Sequence, residues 1–142
     1  MAVVDTTPGF KFMYRLSGGQ PTIQTLYFKD TETLTKGDLV NAEGGEVDLA
    51  ATNDTALLGA VLQTKAGTDS TTTIEVIVDD DAVYAVYDAN ARVIGAQLDI
   101  AGASGAMGVA ASSNNDVIVV ANSSADELTL VRIIPANHAT HL

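Results

Sequence analysis

The feature that most constrains the fold is a series of ten short runs of strand-forming residues, separated by clusters of Gly, Asn, Asp and Ser. Val, Ile, Thr and Tyr favour extended backbone, and turn signals at regular spacing are typical of an all-β barrel or sandwich. We predict a small β-barrel or β-sandwich of about 8–10 short strands, with at most one short helical turn, near residues 88–93, where Asp88 would be the N-cap. The runs occupy residues 22–29, 38–42, 46–50, 57–64, 71–78, 82–88, 96–100, 107–111, 116–122 and 128–134.

Length and composition favour one domain that buries part of its surface against other subunits. A chain of 142 residues fits a single domain with its own core. Hydrophobic residues make up 46% of the chain and charged residues only 18%, which is too apolar for disorder and leaves few charges for the surface. We assign an extended N-terminal arm to residues 1–21, a single β domain to residues 22–135 and a flexible C-terminal tail to residues 136–142.

The charge of the chain argues against two classes of partner. A net charge of −11 repels phosphate backbones and anionic lipids, so we expect no binding to nucleic acid or to membranes. No run of about 18 apolar residues is present to span a bilayer. The first ten residues, MAVVDTTPGF, lack the basic start and the apolar block of a signal peptide. We therefore expect synthesis in a cytoplasm-like compartment.

Few residues are suited to catalysis. Histidine, the usual general base near neutral pH, occurs only at His138 and His141, close to the C-terminus. Cysteine is absent, which excludes thiolate nucleophiles, thiolate zinc sites and disulfides. The stretch GASGAMG (102–108) has Ala106 where the nucleophile elbow G-x-S-x-G needs its last glycine, and it lacks the spacing of a phosphate-binding loop. We expect no enzyme activity, no catalytic residues and no cofactor.

Three consecutive acids, Asp79–Asp81, are the candidates for a metal or acid–base site. Only Asp79 and Asp81 would share a side of an extended chain, because neighbouring side chains alternate. No D-x-[DN]-x-[DN]-G calcium pattern is present. Aspartate is also favoured in exposed turns, where it bonds its own backbone. We interpret these acids as a solvated turn between two strands and expect no metal site.

The first 29 residues differ from the rest of the chain in charge and in aromatic content. They carry a net charge of +2 and five of the seven aromatic residues. Alternation predicts one face formed by Phe10, Phe12, Tyr14 and Leu16, opposite a basic edge that includes Lys11 and Arg15. The segment either packs on its own domain as a first strand or reaches a neighbouring subunit or partner sheet by strand addition. The predicted partner-binding residues are Phe10, Lys11, Phe12, Tyr14, Arg15 and Leu16.

One resemblance to a known family covers about residues 35–135. The order of GDLVN (37–41), NDTALLGAVLQTKAG (53–67), TIEVIVDDDAVYAVYDANARVIGAQLDIAG (73–102), SNNDVIVVAN (113–122) and LTLVRII (128–134) resembles the head decoration, or cement, proteins of tailed bacteriophages. In that group, small β-rich (β-tulip-like) subunits commonly form trimers on the outside of the capsid, and an N-terminal arm often extends over the major capsid protein. The resemblance implies a structural virion protein on the capsid exterior, made in the host cytoplasm, whose partners are the major capsid protein and itself, as a homotrimer.

Two alternatives compete with a decoration protein. A β-sandwich binding module for a surface carbohydrate or for host attachment would need exposed aromatic residues on one concave face. The chain beyond Phe28 offers only Tyr84 and Tyr87, which fall on opposite faces of a strand. An enzyme or calcium protein built around Asp79–Asp81 is the other alternative, and a melting temperature unchanged by calcium or chelator would exclude its metal form.

Overall fold

The computed structural model describes residues 6–28, 32–52, 54–67, 72–111, 116–123 and 125–139. Within these ranges the chain forms thirteen β-strands and one 3-10 turn, so the predicted all-β fold is confirmed. The 3-10 turn is Pro135–Asn137. The strands are β1 (Lys11–Arg15), β2 (Ile23–Tyr27), β3 (Thr33–Leu34), β4 (Leu39–Glu43), β5 (Glu46–Leu49), β6 (Leu57–Ala60), β7 (Lys65–Ala66), β8 (Thr73–Ile77), β9 (Ala82–Tyr87), β10 (Gln97–Ala101), β11 (Gly108–Ala111), β12 (Val117–Ser123) and β13 (Leu128–Ile133).

A six-stranded antiparallel sheet with the order β1-β9-β13-β12-β10-β11 forms the largest layer. Three small sheets accompany it: β2-β8, β3-β7 and β5-β4-β6. In the described part of the chain none of these sheets closes into a barrel, and the arrangement is consistent with a small β-sandwich. Of the two predicted architectures, the structure therefore favours the sandwich.

Two hydrophobic clusters fill the space between the sheets. The larger joins the inner face of the six-stranded sheet to β6 and β8, and it includes Phe10, Leu57, Ile77 and Tyr84. The smaller contains Phe28, Leu34, Val40, Ile74 and Val76. Alternation along β8 sends Ile74 and Val76 to the smaller cluster and Ile77 to the larger, so this strand connects the two.

Gly59 shows why glycine is needed where β6 crosses the core. A Cβ atom at this position would lie 2.0 Å from the carbonyl oxygen of Ile77 and 2.5 Å from the hydroxyl oxygen of Tyr84. The amide of Ala60 donates a hydrogen bond of 3.3 Å to that hydroxyl. The small residue therefore lets β6 approach both β8 and β9 closely.

The predicted helical turn near residues 88–93 is wrong, because Asp88 makes tertiary contacts instead of capping a helix. Its carboxylate accepts a hydrogen bond of 2.6 Å from Nε of Arg92 and one of 3.1 Å from the hydroxyl of Thr129 on β13. The amide of Asn90 donates to the same carboxylate at 3.2 Å, which is the pattern of an Asx turn. These contacts hold the segment as a loop.

The predicted flexible C-terminal tail is wrong for residues 136–139. His138 is fully buried, its Nε2 lies 2.8 Å from the carbonyl oxygen of Leu58, and its backbone forms a parallel bridge with Leu57. Ala139 packs against the smaller cluster. The turn that begins at Pro135 directs the chain over β6, where His138 is buried. Residues 140–142, which include His141, lie outside the described part of the chain.

Candidate interaction surface

Strand β1 belongs to the body of the protein. It pairs antiparallel with β9 at one edge of the six-stranded sheet, and Phe10, just before it, is 2% exposed. The rings of Phe10 and Phe12 both contact the ring of Tyr84 edge-on, with centroids 6.4 Å apart. Within the chain, this segment packs on its own domain as a first strand, which is one of the two predicted alternatives. The division of residues 1–21 into a separate extended arm is therefore wrong for residues 10–16, and residues 1–5 lie outside the described ranges.

A β-bulge at Met13 changes which side chains of β1 share a face. Phe12 lies opposite Tyr84, whereas Tyr14 lies opposite Val83, so Met13 is an extra residue in the strand. Residues directly opposite each other share a face. Phe12 therefore faces the core while Tyr14 faces outward, and the predicted common face of Phe10, Phe12, Tyr14 and Leu16 is wrong beyond Phe12.

The same bulge turns Arg15 toward the aspartates at the β8–β9 turn. Its Nε donates a hydrogen bond of 2.9 Å to Asp81 and lies 3.5 Å from a carboxylate oxygen of Asp79. The basic edge predicted for this strand is therefore partly neutralised within the chain. Lys11, the other predicted basic residue, has an exposed side chain.

Asp79 and Asp81 also bind the backbone between β1 and β2. Asp81 accepts a hydrogen bond of 3.0 Å from the amide of Ser17, and Asp79 accepts one of 2.6 Å from the amide of Thr22. Asp79 is only 8% exposed. The turn between two strands is confirmed, but a purely solvated role for these acids is wrong, because two of them fasten the β1–β2 connection to the body.

The electrostatics of this connection favour a stable ion pair. Burial disfavours the charged form of Asp81, but hydrogen bonds from Ser17 and Arg15 outweigh it and lower the pKa of Asp81 to about 2. The hydrogen bond to Asp81 in turn raises the pKa of Arg15. Both groups are therefore charged at neutral pH.

Residues 13–27, which include the β1–β2 connection and the strand residues on either side of it, expose an unusual number of large apolar side chains to solvent. Among the described residues, five of the seven exposed large hydrophobic side chains lie between residues 13 and 27. They are 41–53% exposed and flank the fastened connection, at the edge strand β1 and on β2. Large exposed apolar groups that the fold does not use commonly mark interaction sites. We call this set the β1–β2 surface; it consists of Met13, Tyr14, Leu16, Ile23 and Tyr27.

The β1–β2 surface overlaps only in part with the residues predicted from the sequence. Tyr14 and Leu16 are exposed as expected, whereas Phe10 is buried and Phe12 packs against the core. Met13, Ile23 and Tyr27 were missed. Tyr27 could have been found from the clustering of aromatic residues near the N-terminus, but the exposure of Met13 depends on the bulge.

The described residues contain neither a cluster of metal ligands nor a helix that could span a membrane. No group of three or more His, Asp or Glu side chains among them is placed to hold a metal ion. No helix in the same part of the chain is long and apolar enough to cross a membrane.

Comparison of the chain with models of known protein families and with curated proteins finds no match.

Proposed function

We propose that the protein is a structural virion protein that binds the outer surface of a tailed-bacteriophage capsid as a decoration subunit and stabilises the shell. Its partners would be the major capsid protein and further copies of itself, as a homotrimer. The observation that carries the proposal is the β1–β2 surface, which displays five large apolar side chains on a segment fastened to the body by Asp79 and Asp81.

The fastened segment suits a binding role for two physical reasons. Strand β1 forms an edge of its sheet and β2 pairs with β8 alone in its sheet, so the segment is accessible to a partner. Tyr and Met are also enriched at interfaces, where aromatic anchors supply much of the binding energy. Because the hydrogen bonds to Asp79 and Asp81 already order the backbone, binding costs less conformational entropy.

The proposal is tested by replacing two exposed residues beside the connection. The double variant Tyr14→Ser/Ile23→Ser removes apolar contact area and leaves the core intact. Binding is measured by co-sedimentation with undecorated heads of the cognate phage, together with the temperature at which decorated heads disrupt. We expect the double variant to lose at least about tenfold in affinity and to stop stabilising the heads.

A matched variant separates apolar contact from other effects of the substitutions. Tyr14→Phe/Ile23→Val changes the same positions but keeps their apolar character, and it should bind nearly as the natural chain does. Folding of each variant is checked by its denaturant midpoint. A serine variant that folds normally and binds heads undiminished would overturn the assignment of this surface. Deletion of residues 2–20 is unsuitable, since it removes β1 and the core residue Phe10.

The alternative of a carbohydrate-binding module receives no support from Tyr84, one of the two aromatic residues beyond Phe28. Tyr84 is 1% exposed and lies in the core, so it is unavailable to a sugar. We therefore retain the decoration subunit as the single proposed function.

A further inference from the structure

An apolar groove lies between the start of β1 and the strands β6 and β8. It encloses about 410 Å³ and is lined on one side by residues 7–12 and on the other by Lys36, Gly37, Ala60, Val61, Leu62 and Ile77. Its floor is formed by buried Phe10, Val61 and Ile77. The exposed side chains of Lys11 and Lys36 stand at its rim. The groove thus combines an apolar floor with cationic edges in a chain whose net charge is −11.

A second apolar feature is the turn that follows Arg92, which exposes two aliphatic side chains. Val93 and Ile94 are 76% and 69% exposed, the highest values among the exposed large hydrophobic side chains of the described residues. The turn is held firmly: the amide of Ala96 donates to the carbonyl of Val93 at 3.0 Å, and the amide of Gly95 donates to Val119 on β12 at 2.9 Å. Gly95 has a φ of +90°, which glycine adopts readily. Two aliphatic side chains are therefore displayed on an ordered projection.

The groove and the turn of one chain cannot meet each other. The groove adjoins β1, at one edge of the six-stranded sheet, whereas the turn is bonded to β12, with β9 and β13 between them. Three strand spacings amount to about 14 Å along the sheet. Because the two features lie on different flanks, each is free to contact another copy.

The charges around the two features are complementary. Arg92, next to Val93, is paired with Asp88 at 2.6 Å, so the cation beside the turn is neutralised within the loop. The chain as a whole carries a net charge of −11. Lys11 and Lys36 border the groove, so its edges attract the acidic body of a second copy.

We propose that Val93 and Ile94 of one copy insert into the groove of the next. The contact joins two different surfaces, so each copy uses its turn on one neighbour and its groove on the other. Head-to-tail contacts of this kind close into rings when the rotation between copies permits it. This contact between copies forms independently of binding to a capsid.

The test uses the absence of cysteine from the chain. Two single variants, Ile94→Cys and Lys36→Cys, are mixed under mild oxidation and analysed on non-reducing gels, with mass spectrometry to identify the linked peptides. We expect a mixed disulfide between the two variants as the main product. The control mixture pairs Ile94→Cys with Ala51→Cys, an exposed position outside the groove and the β1–β2 surface, and should give only the background of random collision.

A second measurement checks the energetics of the same contact. Sedimentation equilibrium of the natural chain should show oligomers, and Val93→Ser/Ile94→Ser should raise the dissociation constant about tenfold or more. Ala51→Ser changes an exposed residue outside both the groove and the β1–β2 surface and should leave the dissociation constant unchanged. A natural chain that stays monomeric at its solubility limit, or a Val93/Ile94 variant that associates as tightly as the natural chain, would refute the contact. Because no capsid is present, these results stand apart from those for head binding.

Discussion

At the level of single residues, the local sequence around Asp79 and Asp81 predicts the side of the chain they share but not the groups they bind. Their alternation with Asp80 places them on one side of the chain, as the sequence predicts, and both lie near Arg15. Their partners, however, are 57–66 positions away in the sequence. A local pattern contains no information about these partners, and the acids therefore resembled a solvated turn.

Replacing Asp81 by Asn should destabilise the protein in a pH-dependent way. The substitution weakens the hydrogen bonds from Ser17 and Arg15, and we expect the free energy of unfolding to fall by about 1 kcal/mol at pH 7. Because the folded pKa of Asp81 is about 2 and its ordinary value is 3.8, this stabilisation is complete above pH 4 and is lost as the pH falls toward 2. Denaturant titrations of both proteins at several pH values would measure the difference.

Glu75→Gln is the control for Asp81→Asn, since it removes the same charge from a half-buried strand position. It should change the free energy of unfolding by less than about 0.5 kcal/mol. Equal stabilities of the natural chain and Asp81→Asn at pH 7 would contradict a fastening role for Asp81.

Asp48 should have the opposite pH dependence. Burial, a hydrogen bond with Glu43 and the negative charges of Glu43, Glu32 and Asp54 together raise the pKa of Asp48 to about 6. Asp48 thus favours the folded state below its ordinary pKa of 3.8, and this contribution is lost as the pH rises through about 6. We expect Asp48→Asn to stabilise the protein at pH 8 by about 1 kcal/mol, a value reduced by solvent screening.

The gain from Asp48→Asn should disappear near pH 4, where the natural carboxyl group is already protonated in the folded state. Thermal unfolding at pH 4 and pH 8 would measure both stabilities. A variant that is less stable than the natural chain at pH 8 would show that the Asp48 carboxylate stabilises the hairpin of β4 and β5.

At the level of secondary structure, most strands could be predicted because their signal is local. The run 71–78 contains β8 and the run 82–88 contains β9, since both are dense in β-branched and aromatic residues between polar turns. The glycines of the β4–β5 turn, Gly44 and Gly45, have positive φ and form the hairpin that joins these two strands. The bulge in β1 could not be predicted, because it is defined by the register against β9.

Because of this register, Phe10 and Tyr14 differ in burial. We therefore expect their substitutions to differ in their effect on the free energy of unfolding. Phe10 is buried against Tyr84, so Phe10→Ala should lower the free energy of unfolding by about 3 kcal/mol. Tyr14 faces outward beyond the bulge, so Tyr14→Ser should change it by less than about 0.5 kcal/mol. Urea titrations would compare the two variants. Similar losses for both would show that β1 does not hold this register.

At the level of the whole molecule, the chain combines strong acidity with apolar surfaces that the fold leaves exposed. The β1–β2 surface and the turn at Val93 and Ile94 contain the seven exposed large hydrophobic side chains of the described residues. The sequence predicted a surplus of apolar residues from composition alone, but their location requires the tertiary structure. Two separate apolar features would permit one subunit to bind a shell and its own copies at the same time.

Salt should strengthen the association of copies, because repulsion between subunits of net charge −11 opposes an apolar contact. Raising the ionic strength from about 0.01 M to about 0.15 M shortens the Debye length from about 30 Å to about 8 Å. The few attractive pairs at Lys11 and Lys36 are screened as well, but the repulsion involves the whole charge of both copies. We expect the dissociation constant measured by sedimentation equilibrium to fall several-fold over this range, and Lys36→Ser to preserve the trend. A dissociation constant that rises with salt would mean that charge pairs, and not Val93 and Ile94, hold the copies together.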